Sequence, residues 1–265
     1  MAKDTVITFR QAKQEGRKLS MLTCYDYTTA KIMDGCVDAI LVGDSLGTVV
    51  LGYPTTCPVT MEDMIRHAGA VVRGAANTLV VVDMPFMSYQ ASVRDAVLNA
   101  GRLIAETGVT AVKLEGGIDV VPQIEAIVKA GIPVMGHVGL TPQASNALGG
   151  FKVQGKTPEA VQKLIDDAKA VEAAGAFSIV IECVPSSVGT RVTQAVSVPT
   201  IGIGAGVECD GQVLVYTDML AMGDSTPKFV KHFGDAGTLM REAFQAYTQE
   251  VRDGAYPTEQ YGYKG

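Results

Sequence analysis

Apolar residues fall along the chain in short, nearly unbroken runs rich in β-branched side chains, each followed by a polar or glycine-rich break and a longer amphipathic stretch. The runs predict strands at 20–24, 38–42, 78–83, 110–115, 133–137, 177–182, 199–203 and 212–216. Between most of them the spacing predicts helices, as at 60–75, 90–106, 117–129 and 157–174. In the last, Val161, Leu164, Ile165 and Ala168 share one face, and Lys163, Asp166 and Asp167 lie on the other. Thr60 and Asp63 form a variant capping box, and Gly131 ahead of Pro133 ends a helix before the next strand. Strands that are apolar on both faces belong to a parallel sheet covered by helices.

Eight such strands alternating with helices predict an α/β fold, a closed (β/α)8 TIM barrel. An open doubly wound sheet is the alternative, but 23–31 reads TCYDYTTAK where that fold carries a glycine fingerprint. Residues 1–265 read as a single barrel domain, with extra helices at 5–16 and 229–252 and an irregular end at 253–265. The length of 265 residues suits one barrel and allows a core that needs no disulfide or structural metal.

Charge and composition narrow the function. A net charge of −6, with no basic stripe, argues against nucleic acid as a partner. Cys24, Cys36, Cys57, Cys183 and Cys209 are scattered without CxxC spacing, which favours buried free thiols over a disulfide frame or a zinc site. Met1–Asp4 carries a charge of each sign and no apolar run follows, so no signal peptide is expected. No window of about 20 apolar residues occurs, and no membrane association is expected. A cytoplasmic location follows as the default.

In such a barrel, chemistry sits where strands end. Gly43-Asp44-Ser45 follows the second run, Asp83 ends the third, and Lys113 and Glu115 lie in the fourth. His137 ends the fifth and Glu182 the sixth. Lys113 and Glu115, two apart, point the same way, and Leu114 between them faces the helices. Neighbouring strands lie about 4.8 Å apart, so these side chains can meet. Asp44, Asp83 and Glu115 would repel one another without a cation. Three carboxylates form a hard oxygen site suited to Mg²⁺, or Mn²⁺ by substitution, with positions left for a bidentate 2-oxo acid.

Taken singly, each residue has a plainer reading. A strand-end aspartate is most often a helix N-cap, the role expected of Asp26, Asp34 and Asp210. His137 could be a hydrogen-bonded core histidine, and Lys113 could snorkel to solvent. His67 and His232 are expected on solvated helix faces. Gly202-Ile203-Gly204-Ala205-Gly206 could cradle phosphate or serve close packing.

The blocks DAILVGDSLGTVVLGYPTTCPVTMEDMIRHAGAVVRG, VVVDMPFMSY, AVKLEGG, GIPVMGHVGLTPQ, GGFKVQGK, IVIECVP, IGIGAG and CDGQVLVYTDML run in order from about residue 5 to 235. Together they resemble the ketopantoate hydroxymethyltransferase family. Thr48, Cys57 and Ala221 depart from it, standing where methionine, leucine and glycine are usual. The resemblance implies a TIM barrel of the phosphoenolpyruvate/pyruvate type and a homo-oligomer, commonly a homodecamer. It implies hydroxymethyl transfer from 5,10-methylenetetrahydrofolate to 3-methyl-2-oxobutanoate, giving 2-dehydropantoate in pantothenate biosynthesis. It also implies that Asp44, Asp83 and Glu115 hold Mg²⁺. Asp44, Ser45, Asp83 and Lys113 would contact the 2-oxo acid, and Glu182 would be the general base. His137 would hydrogen-bond substrate or product. The alternative is another Mg²⁺-dependent barrel lyase or aldolase acting on 2-oxo acids. Lyases of the isocitrate lyase type usually carry a KKCGH-like loop, and none is present.

Overall fold

The computed structural model describes residues 5–264; the segment Met1–Asp4, read above as no signal peptide, lies outside them. Eight parallel strands close into a barrel in chain order. They are β1 Leu19–Thr23, β2 Ala39–Val42, β3 Leu79–Asp83, β4 Ala111–Glu115, β5 Val134–Gly139, β6 Ser178–Glu182, β7 Thr200–Ile203 and β8 Gly211–Leu214. Each expected strand is present to within two residues, and the open sheet is excluded by the pairing of β1 with β8.

The helices are α1 Val6–Gln14, α2 Tyr27–Met33, α3 Leu46–Val49, α4 Met61–Gly74, α5 Val93–Thr107, α6 Val121–Lys129, α7 Ser145–Leu148, α8 Pro158–Ala173, α9 Ser186–Ala195, α10 Tyr216–Met219 and α11 Ala236–Arg252. The Thr60–Asp63 capping box opens α4 as expected. Pro122 and a 3₁₀ turn at Ile118–Val120 delay α6 to residue 121. The stretch 229–235 is not helical, because α11 starts where the Asp235 side chain caps Thr238 N. Asp26 caps α2, but Asp34 and Asp210 are not N-caps: Asp34 lies at the C-terminal end of α2, and Asp210 accepts from Thr200 ahead of β8.

The chain divides into two compact units, Met1–Val215 and Tyr216–Gly265. In the first, Met21, Leu41, Val81, Met135, Ile201 and Val213 form one cluster with Phe9 and Ala12 of α1. Phe9 meets Phe177 edge-on at 5.9 Å. Buried apolar area of this kind is the main driving term for folding. In the second unit, α11 exposes Met240, Phe244, Tyr247 and Val251 at helical spacing.

Of the free cysteines, Cys24 and Cys209 are buried, Cys57 and Cys183 are half-buried, and Cys36 is exposed, so the expected burial holds for two. Among the described residues no helix is long and apolar enough to cross a membrane.

Candidate active site

The inward face of each strand changes character at its C-terminal end. Val81, Ala111, Met135 and Val180 belong to the apolar interior cluster. Two residues further along, the strand period puts Asp83, Lys113, His137 and Glu182 on the same face. Leu114, between Lys113 and Glu115, is buried outside that cluster. Register does the rest: Asp83 pairs with Lys113, and Glu115 pairs with His137. Glu182 is opposite Gly139, one layer above His137.

The side chains are in direct contact. Lys113 Nζ is 2.8 Å from Asp83 Oδ1 and 3.2 Å from His137 Nδ1. His137 Nδ1 is 3.5 Å from Glu115 Oε1, and its Nε2 is 3.2 Å from Glu182 Oε2. Asp44 N donates to Asp83 Oδ2 at 3.1 Å. Gly43 leaves room before it for the Ser45 hydroxyl, which a Cβ there would approach to 2.7 Å. Ser45 Oγ is held 2.9 Å from Tyr25 Oη. The seven residues expected in the site, Asp44, Ser45, Asp83, Lys113, Glu115, His137 and Glu182, lie in one cluster at the strand ends, with Tyr25 behind Ser45 as an addition.

Electrostatics separate their roles. Burial pushes the Asp44 carboxyl well above its ordinary value, and the Asp83 and Glu115 charges add to that. Burial also raises Asp83, although Lys113 opposes it. Glu115 is equally buried, but its contact with His137 and the Lys113 charge hold it below the usual range. Burial and Lys113 would depress His137, yet Glu115 and Glu182 hold it up at about 9. Lys113 is held above its ordinary value, because Asp83, Glu115 and Asp44 outweigh burial. Burial makes Asp44 and Asp83 costly to ionise side by side, a cost that a divalent cation would offset. Among the described residues, no three acid, histidine or cysteine side chains already converge in ligating geometry. Each acid is instead held by its own donor. The oxygen-only donor set still fits a hard cation such as Mg²⁺.

Glu182 differs from the others. Its side chain is 17% exposed, against 5% or less for Asp83, Lys113, Glu115 and His137. The next residue, Cys183, has φ 50°, a left-handed conformation that costs a non-glycine residue about 1–2 kcal/mol. It turns the chain off the strand at Glu182. A cavity of about 460 Å³ adjoins the cluster, lined by Phe86, Tyr89, Glu115, Gln143, Leu148 and Leu164 among others.

Two participants escaped the sequence reading. Gln143, in the 3₁₀ turn after β5, donates through Nε2 to Asp44 Oδ2 at 2.8 Å. Tyr89 Oη accepts from Glu115 N at 3.1 Å, and burial with the Glu115 charge keeps the phenol protonated. The only signal was a polar residue soon after a strand end, as in TPQ at 141–143.

Other candidates take plainer roles. His67 is half-buried, not solvated, with Nδ1 2.6 Å from Tyr25 O. His232 is exposed as expected. The glycine loop after β7 serves close packing: a Cβ on Gly206 would approach Ser186 Cβ to 2.7 Å.

Comparison with known proteins adds to the geometry. The profile of the family described as ketopantoate hydroxymethyltransferase matches residues 3–259. A 3-methyl-2-oxobutanoate hydroxymethyltransferase of Clostridium novyi (strain NT) is 63% identical over 264 residues, covering 99% of this chain and 96% of the relative. One of Enterococcus faecalis is 60% identical over the same shares. Among solved structures, a phosphonopyruvate hydrolase complexed with oxalate and Mg²⁺ has TM-score 0.64 at 14% identity, covering 98% of this chain and 93% of that one. A 2,3-dimethylmalate lyase of the PEP mutase/isocitrate lyase superfamily has TM-score 0.60 at 16% identity, covering 97% and 91%. At such identities the solved structures share the barrel and carry no argument about chemistry.

Proposed function

Because the chain belongs to the ketopantoate hydroxymethyltransferase family, whose curated relatives are named for hydroxymethyl transfer to 3-methyl-2-oxobutanoate, we propose that the acid–lysine–histidine cluster at the strand ends carries out that transfer. The enzyme is a transferase of pantothenate biosynthesis, and the lyase alternative is not favoured. The observation that carries the site reading is the division within the cluster. Asp44, Asp83 and Glu115 are buried, whereas Glu182 alone among its carboxylates is partly open to solvent.

In this reading Asp44, Asp83 and Glu115 would hold Mg²⁺. When bound, the ion supplies a Lewis acid for the keto oxygen of the 2-oxo acid. Asp44, Ser45, Asp83 and Lys113 line the substrate position. Glu182 takes the proton from C3 of 3-methyl-2-oxobutanoate, and the C–H electron pair passes into the enolate. Lys113, buried and cationic, offsets the charge that develops on oxygen. The enolate carbon then bonds to the one-carbon unit of 5,10-methylenetetrahydrofolate, its two C–N bonds break, water supplies the hydroxyl and tetrahydrofolate leaves, giving 2-dehydropantoate. His137, between Glu115 and Glu182, orients both carboxylates and is within reach of substrate or product.

The protein acts in the cytoplasm as a homo-oligomer, a homodecamer by family resemblance, and the exposed apolar stripe on α11 supports self-association. The test is a turnover assay with 3-methyl-2-oxobutanoate, methylenetetrahydrofolate and Mg²⁺, each omitted in turn. Product should form only when all three are present. Undiminished turnover with a chelator would refute the metal assignment, and undiminished turnover without folate would refute the donor.

A further inference from the structure

Gln143 is 5% exposed, and every hydrogen-bonding position of its side chain is filled. Nε2 donates to Asp44 Oδ2 at 2.8 Å and to Met84 O at 2.9 Å. Oε1 accepts from Tyr89 Oη at 2.8 Å and from Gln90 Nε2 at 2.9 Å. An amide whose nitrogen faces only acceptors and whose oxygen faces only donors has one permitted orientation. The main-chain N–H of the same residue donates to Glu115 Oε2 at 3.0 Å. Tyr89 closes the loop, because its hydroxyl accepts from Glu115 N and donates to Gln143.

A single residue therefore grips one carboxylate just beyond β2 and another at the end of β4, strands that are not neighbours. Side chains that donate to ligating carboxylates fix where the lone pairs point, and through that the affinity of the site. We propose that Gln143 is a positioning residue, clamped by Tyr89, that sets the placement of Asp44 and Glu115 for a divalent cation. Its side-chain hydrogen bonds are all taken by protein groups, so its part is to position the carboxylates. The inference rests on the metal reading above and goes beyond it by naming what tunes the site.

The test is Mn²⁺ titration of the full chain, reading free Mn²⁺ by electron paramagnetic resonance, with a thermal melt of each variant. Gln143→Met keeps the length of the side chain and removes its polar end. It should weaken Mn²⁺ binding about 10–100-fold. Tyr89→Phe, which leaves the ring in its place, should weaken it about three- to tenfold. The double variant should stay within about threefold of Gln143→Met alone, because both act through one amide. Turnover lost at low Mg²⁺ should return at high Mg²⁺. A folded variant of either kind that binds Mn²⁺ as the parent does would overturn the proposal, and so would a double variant whose losses multiply. Should Gln143→Met fail to fold, Tyr89→Phe decides alone. A parent that does not bind Mn²⁺ would overturn the metal reading and this inference with it; a parent that binds while the variants match it would overturn this inference only.

Discussion

The two ends of the barrel use aspartate in opposite ways. At the C-terminal end, Asp44 and Asp83 are buried close to each other, and burial raises both carboxyls above their ordinary value. At the N-terminal end, Asp34 and Asp38 are held by donors. Asp38 accepts from Ser20 N and Oγ, each at 2.7 Å, and pairs with Arg17 at 2.6 Å. Asp34 accepts from Asn77 N and Thr78 Oγ1. Burial would raise these two as well, but the donors outweigh it and hold both below the usual carboxylate range. One end keeps carboxylates costly and ready for a partner. The other spends its carboxylates on tying strands and loops together, as expected for the stability face of this fold.

The contrast is sharpest at Lys113. Lys113→Met would leave Asp83 and Glu115 without their central cation. The account predicts a fall in kcat of about 10²–10³-fold, together with a stability loss of about 3–5 kcal/mol from the uncompensated buried charge. Steady-state kinetics and urea denaturation check the two parts. At the opposite end, Asp38→Asn should cost about 1–3 kcal/mol of stability and leave kcat/KM unchanged. Loss of activity beyond the loss of folded protein would break the separation between the two ends.

Acid should expose the same division. The folded-state pKa of Asp34 and Asp38 lies below the unfolded one, so their contribution is present above about pH 4, the ordinary carboxylate value, and is lost as pH falls through the depressed folded value. Urea melts of the parent and of Asp38→Asn from pH 7 down to pH 3 should show the parent's advantage shrinking at the acid end. Asp38→Asn should show a shallower decline, since it lacks one of the groups responsible.

Most of this arrangement was legible along the chain. Parallel strands buried on both faces leave continuous apolar runs, and Asp83, Lys113, Glu115, His137 and Glu182 are conspicuous as ionisable residues that close those runs. A period of two then aims them inward without further information. Gln143 and Tyr89 were not legible, because they reach the acids through loops of irregular path, and neither charge nor periodicity marks an uncharged residue in a turn. Asp34 was misread as an N-cap for a related reason. Its partners, Asn77 and Thr78, lie across the sheet boundary at the foot of β3, where no local pattern points. Ala221 was noted only as a departure from a usual glycine, and its φ of 51° supplies the reason: the position is left-handed, where glycine is favoured.

The central claim is that the partly open carboxylate of Glu182 removes the C3 proton while the buried acids do not. It is tested most directly by exchange of that proton of 3-methyl-2-oxobutanoate into D₂O, followed by NMR with Mg²⁺ present and folate absent. The parent should exchange the proton, and Glu182→Gln should slow exchange by about 10²–10⁴-fold while its thermal melt stays like the parent's. Exchange by Glu182→Gln at the parent rate would contradict the account.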